Sequence, residues 1–204
     1  MAYTQQNKKF NRPPQRNFNN PKRAPLPEGF SLFYIAVACP ANVDEQIAGM
    51  KDYMFREFGC RAAGKSPAHI TIVPPFRAED EMEASLRDFV TTFNIGVVPF
   101  SVQLKNYGQF ADRVLFVDVS LPNNSLMNLE KESMDEFSNA FPGIIFGMKP
   151  DFNPHVTIAT RDIPEGALAR ARSYFETNHP VDMEFEAKQL TLFRLIAGKW
   201  EIAS

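Results

Sequence analysis

Cysteine and histidine are scarce in this chain of 204 residues, which contains two cysteines and three histidines. Cys39 and Cys60 form no C-x-x-C pair and are too few for a disulfide framework, so we expect reduced thiols and no zinc site. The sequence has no apolar run near the ~20 residues that span a bilayer, and no apolar signal segment at its N-terminus. These absences indicate a soluble protein, and we expect a cytoplasmic location and no membrane partner.

Acidic residues are absent from positions 1–27, which are rich in Asn, Gln and Pro and carry six basic residues, whereas the rest of the chain has 16 basic and 24 acidic residues. Because this stretch has little apolar surface to bury, we predict a disordered basic arm at 1–28 and a folded domain at 29–204. The arm either contacts RNA or only increases solubility. A mitochondrial transit peptide fits less well, because the arm lacks serine and amphipathic spacing.

Hydrophobic residues make up 44% of the chain and follow strand and helix periods in turn after the arm. The predicted strands lie at about 32–39, 68–73, 100–104, 114–119, 155–160, 181–196 and 199–203, and the predicted helices at about 43–58, 82–93, 125–141 and 165–177. Pro74-Pro75 is expected to end the second strand, and 106–112 to form a hairpin loop. This order predicts an α+β fold with two similar lobes, each a mixed or antiparallel sheet backed by helices, meeting across a cleft.

One short pattern occurs twice, as His69-Ile70-Thr71-Ile72 and His155-Val156-Thr157-Ile158, and each copy follows a proline. Its β-branched residues favour a strand, on which the histidine and threonine lie on one face, about 6–7 Å apart, and the aliphatic residues on the other. A single copy is weak evidence, because threonine is common in strands and most histidines are structural. Two copies that use two of the three histidines indicate a four-residue site.

Two imidazoles and two hydroxyls are the groups that phosphodiester cleavage without a metal requires. One neutral imidazole would take a proton from the attacking water or hydroxyl, and the other, as imidazolium, would give one to the leaving oxygen. The threonine hydroxyls would donate hydrogen bonds to the non-bridging oxygens. We therefore predict His69, Thr71, His155 and Thr157 as catalytic residues that need no metal or cofactor, with the acid and base roles open. A metal hydrolase is a weaker hypothesis, since no close-spaced third ligand is present.

The paired motifs resemble the tandem H-x-[ST]-h signature of the 2H phosphoesterase superfamily, which includes the so-called 2′-5′ RNA ligases and cyclic phosphodiesterases. Phe33–Pro40 is similar to the first strand of that family, and His69–Phe76 and Arg113–Val119 are similar to two later strands. The resemblance covers about residues 30–203. It implies a bilobal fold with pseudo-twofold symmetry, an active site in the cleft, and RNA ends or 2′,3′-cyclic nucleotides as substrates. Members open the cyclic phosphate to a 2′-phosphate, and some join RNA halves in the reverse reaction.

The chain departs from the family pattern near the second motif. Many members carry a basic residue five places after the second histidine, where this chain has Thr160, and Arg161 follows one place later. On a regular strand Arg161 shares the face of His155 and Thr157 and contacts phosphate; alternatively it is an exposed residue at the strand end. Val73 likewise stands where related proteins often have Lys or Arg, which affects substrate affinity or choice.

Two aromatic residues are further candidates for substrate binding. Tyr34 lies on the first strand, where family members present a ring to the base, and Phe76 follows the first motif closely enough to clamp one. Core packing is the alternative for both rings, since the chain has 19 phenylalanines.

Two functions of different class follow from these patterns. The leading hypothesis is a monomeric, metal-independent phosphodiesterase that opens 2′,3′-cyclic phosphates, with 2′-5′ RNA ligation as the reverse reaction. The alternative is a non-catalytic module that binds RNA ends through the cleft and the basic arm.

Overall fold

A computed structural model of the protein describes residues 26–120, 124–144, 146 and 151–203. The predicted basic arm lies outside the described residues except for 26–28, so its disorder and its RNA contact stay predictions. None of the helices in the described part of the chain is long and apolar enough to cross a membrane.

The described residues form four α-helices and eight β-strands, which confirms the α+β class. The strands are β1 (Phe30–Ala38), β2 (His69–Glu79), β3 (Phe100–Phe110), β4 (Val114–Val119), β5 (His155–Thr160), β6 (Asp182–Ala187), β7 (Thr191–Ile196) and β8 (Lys199–Ile202). The helices are α1 (Ala41–Phe58), α2 (Glu83–Ile95), α3 (Asn124–Ala140) and α4 (Ala167–Asn178), and short 3₁₀ turns cover Ala63–Lys65 and Asp80–Met82.

A single sheet joins all eight strands in the order β6-β3-β4-β5-β2-β1-β7-β8. Each of its described pairings is antiparallel, and the central pairing aligns Ile70 of β2 with Val156 of β5. The prediction of two separate sheets is therefore wrong, because β2 and β5 continue the ladder across the centre. Four strands lie on each side of this junction. The division into two lobes and the pseudo-twofold axis stay predictions.

The two faces of the sheet differ in what covers them. The main core contains alternate residues of β1, such as Phe33 and Ile35, together with the apolar faces of the helices. A second, small cluster on the opposite face contains Tyr34, Ala36 and Phe193. Strand alternation produces this division, because successive side chains point to opposite faces.

The end and the buried face of helix α1 follow from its local sequence. Val43, Ile47, Lys51 and Met54 face the core at helical spacing, so a lysine occupies one of the buried positions. Gly59 ends the helix in the left-handed conformation at φ 73°, and its N–H bonds to carbonyls of the last turn. The predicted helix and its glycine terminus are confirmed.

The prediction that Pro74-Pro75 ends the second strand is wrong, because β2 continues to Glu79. The register of β2 with β1 shifts there, since Phe33 pairs with Phe76 and Ile35 with Val73, so both prolines oppose Tyr34 alone. A bulge does not require the ladder N–H that proline lacks. The predicted hairpin loop is also shorter than expected, because β3 continues to Phe110 through a bulge at Asn106 (φ 66°).

Candidate active site

The two histidine–threonine motifs meet at the centre of the sheet. Ile70 lies opposite Val156 in the antiparallel β2–β5 pair. Strand geometry then places His69 opposite Thr157 and Thr71 opposite His155, all four on the face turned away from Ile70 and Val156. Side chains that lie directly opposite have Cβ atoms about 4.5–5.5 Å apart. Two segments separated by more than 80 residues thus form one compact group.

A cavity of about 190 Å³ opens on this face of the sheet. Its walls include three of the predicted catalytic residues, His69, Thr71 and Thr157. His155 is not among the residues that line the cavity, and its ring packs against Phe110 and Phe116 at centroid distances of 4.9 Å. The aromatic neighbours hold this second imidazole in place.

Both histidines make the same backbone hydrogen bond. Nδ1 of His69 donates to the carbonyl of Pro67 at 2.8 Å, and Nδ1 of His155 donates to the carbonyl of Asn153 at 2.7 Å. A carbonyl only accepts, so these bonds assign the proton of each neutral ring to Nδ1. Each Nε2 then carries the free lone pair that a general base needs.

Burial lowers the pKa of both histidines. It brings the pKa of His69 from 6.5 to about 4, and the bond to Pro67 opposes this while the charges of Lys51 and His155 add to it. Burial also lowers the pKa of His155, against the bond to Asn153 and the charge of Asp118, which lies opposite it on β4. His69 is therefore neutral near pH 7 and suited to accept a proton.

Lys51 is a functional candidate that the sequence analysis missed. Its side chain is only 9% exposed, it lines the same cavity, and its Nζ donates to the carbonyl of Ser66 at 2.7 Å. Burial lowers the pKa of this ammonium, while Asp44 opposes the shift. The available signal was a lysine four residues after the buried Ile47, on the apolar face of α1, since lysine is rarely buried without a reason.

Tyr34 lies beside His69 in the wall of the cavity and packs against its ring. Its ring is 2% exposed and surrounded by His69, Phe193 and Trp200 at centroid distances of 4.6–4.7 Å. The hydroxyl contacts Ser66 Oγ at 2.8 Å and His69 Nδ1 at 3.4 Å. Burial raises the pKa of this phenol, so it stays neutral. Because Tyr34 also lines the cavity, its predicted stacking on a nucleobase stays a prediction, with core packing as the alternative.

Phe76 belongs to the core and not to the site. It is 3% exposed, and it packs against Phe137 of α3 at 4.9 Å and against Phe33 at 6.0 Å. Its place on the helix-covered side of the sheet excludes the predicted clamp on a base. Core packing, the alternative interpretation, accounts for the residue.

A bulge in β5 decides how the end of the second motif faces the cavity. Phe116 of β4 pairs with Thr157 and the preceding Leu115 pairs with Ala159, so Ile158 is an extra residue. The extra residue reverses the alternation and turns Thr160 toward the face of Thr157. The strand ends at Thr160, and Arg161 follows with φ 70°.

The premise of a regular strand for Arg161 is therefore wrong, although the residue still reaches the site. Thr160 and Arg161 both line the cavity, and the backbone N–H of Arg161 donates to the carbonyl of Arg113. Together with Lys51, Arg161 provides a second cation in the cavity wall.

Val73, where relatives often have a basic residue, is fully buried in the core. Among the described residues no three His, Cys, Asp or Glu side chains are arranged to hold a metal ion.

Comparison with known proteins identifies the family and the fold of the chain. A model of the 2′-5′ RNA ligase superfamily matches residues 39–199. The crystal structure of E. coli LigT complexed with 3′-AMP has a similar fold, with a TM-score of 0.62 and 22% identity over 85% of this chain and 94% of that one. TT0787 of Thermus thermophilus has a TM-score of 0.58 at 18% identity, with 85% and 95% covered. No curated protein sequence matches the chain. The family match spans most of the chain, so the protein belongs to the 2′-5′ RNA ligase superfamily of 2H phosphoesterases, as the resemblance predicts.

Proposed function

We propose that the protein is a phosphodiesterase that opens 2′,3′-cyclic phosphates of RNA ends or small nucleotides by two-histidine acid–base catalysis. The observation that carries this proposal is the meeting of the two motifs on β2 and β5, with the same Nδ1 bond on each histidine. Membership of a phosphoesterase family supports the class of reaction.

The reaction divides between the two histidines according to their environments. Nε2 of His69, whose pKa burial lowers to about 4, accepts a proton from water, and the water oxygen forms a bond to phosphorus. The bond between phosphorus and one ribose oxygen breaks, and His155 as imidazolium donates the proton that this oxygen needs. Ligation is the same ring opening with a ribose hydroxyl of a second strand in place of water: this hydroxyl gives its proton to His69 and bonds to phosphorus, and one ribose oxygen of the cyclic phosphate leaves with the proton from His155. Each step conserves the protons because one imidazole gains what the other loses.

The other polar groups in the cavity stabilise the negative charge that develops on the phosphate. Thr71 and Thr157 donate hydrogen bonds to the non-bridging oxygens, one from each strand. Lys51 and Arg161 reach the same cavity and balance the negative charge. These two cations replace the basic residues that many relatives carry at the positions of Val73 and Thr160.

Turnover of 2′,3′-cyclic AMP by single variants tests the proposal. We expect His69→Ala and His155→Ala each to reduce kcat by about 10³-fold or more, since each removes one partner of the proton transfers. Activity in EDTA should equal that in its absence. His179→Ala is the matched control, because His179 is exposed after α4 and should be dispensable. Near-normal turnover by either site variant would reject the mechanism, and the product, 2′- or 3′-phosphate, identifies the leaving oxygen.

A binding module for RNA ends is the second candidate function. The observation that favours it is that burial lowers the pKa of both site histidines, which disfavours the imidazolium that the acid step requires. Under this hypothesis the wild type binds RNA with a terminal phosphate but converts no cyclic phosphate at any pH between 4 and 8. Deleting residues 1–27 would then weaken binding and reduce its salt dependence. A cytoplasmic location and a monomeric state stay predictions.

A further inference from the structure

A second cavity adjoins the candidate active site. It measures about 660 Å³ and lies between α1, the segment 60–67 and β8, and we call it the α1–β8 groove. Lys51, Ser66 and Trp200 line both the groove and the smaller cavity. The two cavities therefore adjoin at these three residues, and the groove extends from there on the side away from His69.

The groove is rich in cations that have no acidic partner in the described part of the chain. Arg61, Lys65 and Lys199 line it, are exposed, and form no salt bridge with any described carboxylate. With Lys51 the lining has four cations and three carboxylates, an excess of one. Of the carboxylates, Asp52 pairs with Arg56 outside the lining, and Asp44 accepts the N–H of Ala68 and keeps its charge. Glu201 is the third.

This local excess of positive charge contrasts with the body of the protein. Beyond residue 27 the chain has 16 basic and 24 acidic residues, so a basic groove runs against the overall balance. Such a concentration of cations beside a phosphate site attracts further phosphates.

Two aromatic rings accompany the cations. Phe55 is 41% exposed and lies 4.6 Å below the guanidinium of Arg61. Trp200 stands where the groove meets the cavity, edge-on to Tyr34. Aromatic surfaces that alternate with cations are the chemistry that binds single-stranded nucleic acid, by stacking of bases and pairing with backbone phosphates.

We propose that the α1–β8 groove binds the nucleotides on the 5′ side of the reacting phosphate, with backbone phosphates held by Arg61, Lys65 and Lys199. The inference rests on the proposed function and deepens it. The substrate is then an RNA strand that ends in a 2′,3′-cyclic phosphate. A cyclic mononucleotide is a poorer substrate, because it has no second phosphate for these three cations.

A triple variant, Arg61→Ala/Lys65→Ala/Lys199→Ala, tests this subsite. We compare kcat/KM for 2′,3′-cyclic AMP with kcat/KM for a short oligoadenylate that ends in a 2′,3′-cyclic phosphate, across a salt series. The variant should lose about tenfold or more on the oligonucleotide, with a weaker salt dependence, and should keep its activity on the mononucleotide. The control variant, Lys105→Ala/Arg172→Ala/Lys188→Ala, removes three exposed cations from outside the groove and should leave both substrates unchanged.

The outcomes separate this inference from the proposed function. Equal activity of wild type and triple variant on the oligonucleotide would overturn the subsite while the catalytic proposal stands. A wild type that opens neither substrate would overturn the proposed function. In that case the affinity for a labelled oligonucleotide with a terminal 2′-phosphate tests whether the groove binds nucleotides. A tenfold loss of affinity in the triple variant would support the subsite, and an unchanged affinity would reject it.

Discussion

His69 and His155 are related by the same local geometry, in which Nδ1 donates to the carbonyl two residues earlier, Pro67 in one case and Asn153 in the other. Each strand therefore begins by fixing one imidazole against its own backbone. Because β2 and β5 are neighbours, the two fixed rings share a face of the sheet. Their surroundings differ, and this difference leads to the first prediction.

The pH dependence of kcat/KM should be bell-shaped with an acidic optimum. Below the pKa of His69, about 4, the base is protonated and activity falls; above the pKa of His155, which lies below 6.5, the acid loses its proton and activity falls again. The active form thus predominates between these two values. Initial rates at low substrate concentration, from about pH 3.5 to 8.5, provide the measurement. An optimum above about pH 7.5 would contradict the assignment.

Stability should also depend on the protonation of His69. Its pKa is lower in the folded state than the unfolded value of 6.5, so the unfolded chain binds the proton more readily. The stability that a neutral His69 contributes is complete above pH 6.5 and is lost as the pH falls toward 4, by about 1–3 kcal/mol. Denaturant unfolding of the wild type and His69→Gln from about pH 7.5 to 4 measures this loss. The variant should show a smaller decline in the free energy of unfolding.

Lys51→Met should change both the rate and its pH dependence. The variant removes a cation from the cavity and a charge that lowers the pKa of His69, so kcat/KM should fall by about tenfold or more and the acidic limb should move to higher pH. Lys131→Met, on the exposed face of α3, is the control and should change neither. A purely structural role for Lys51 would lower stability but leave the acidic limb where it is.

Gly108→Ala should displace the ring of Phe116 and thereby change the position of His155. A Cβ at Gly108 would overlap the ring of Phe116, which packs on His155. We expect a loss of about 1–3 kcal/mol in the free energy of unfolding and a lower kcat, because the ring must shift. Gly49→Ala, in α1 with nothing within 4 Å, is the matched control and should raise stability by about 0.5–1 kcal/mol. Full activity in Gly108→Ala would show that Phe116 does not position His155.

Much of the local structure could be predicted, since its causes lie within a few residues. The spacing of Val43, Ile47 and Met54 predicts α1, and Gly59 predicts its end. The effect of the prolines was harder to predict from the sequence. Pro74-Pro75 fits within a strand only at a bulge, where two residues of β2 lie opposite one residue of β1. The face of Arg161 depends in the same way on the extra residue in β5.

The sequence by itself determined the two motif strands, the α+β class and the pairing of each histidine with a threonine, because β-branched residues and side-chain alternation act locally. Only the tertiary structure decided that β2 and β5 lie side by side, that Lys51 of α1 enters the cavity, that Phe76 is packed in the core, and that Tyr34 packs against His69 in the cavity wall. These features depend on contacts between segments far apart in the chain, for which the free energy of burial and strand pairing, rather than any local pattern, selects the neighbour.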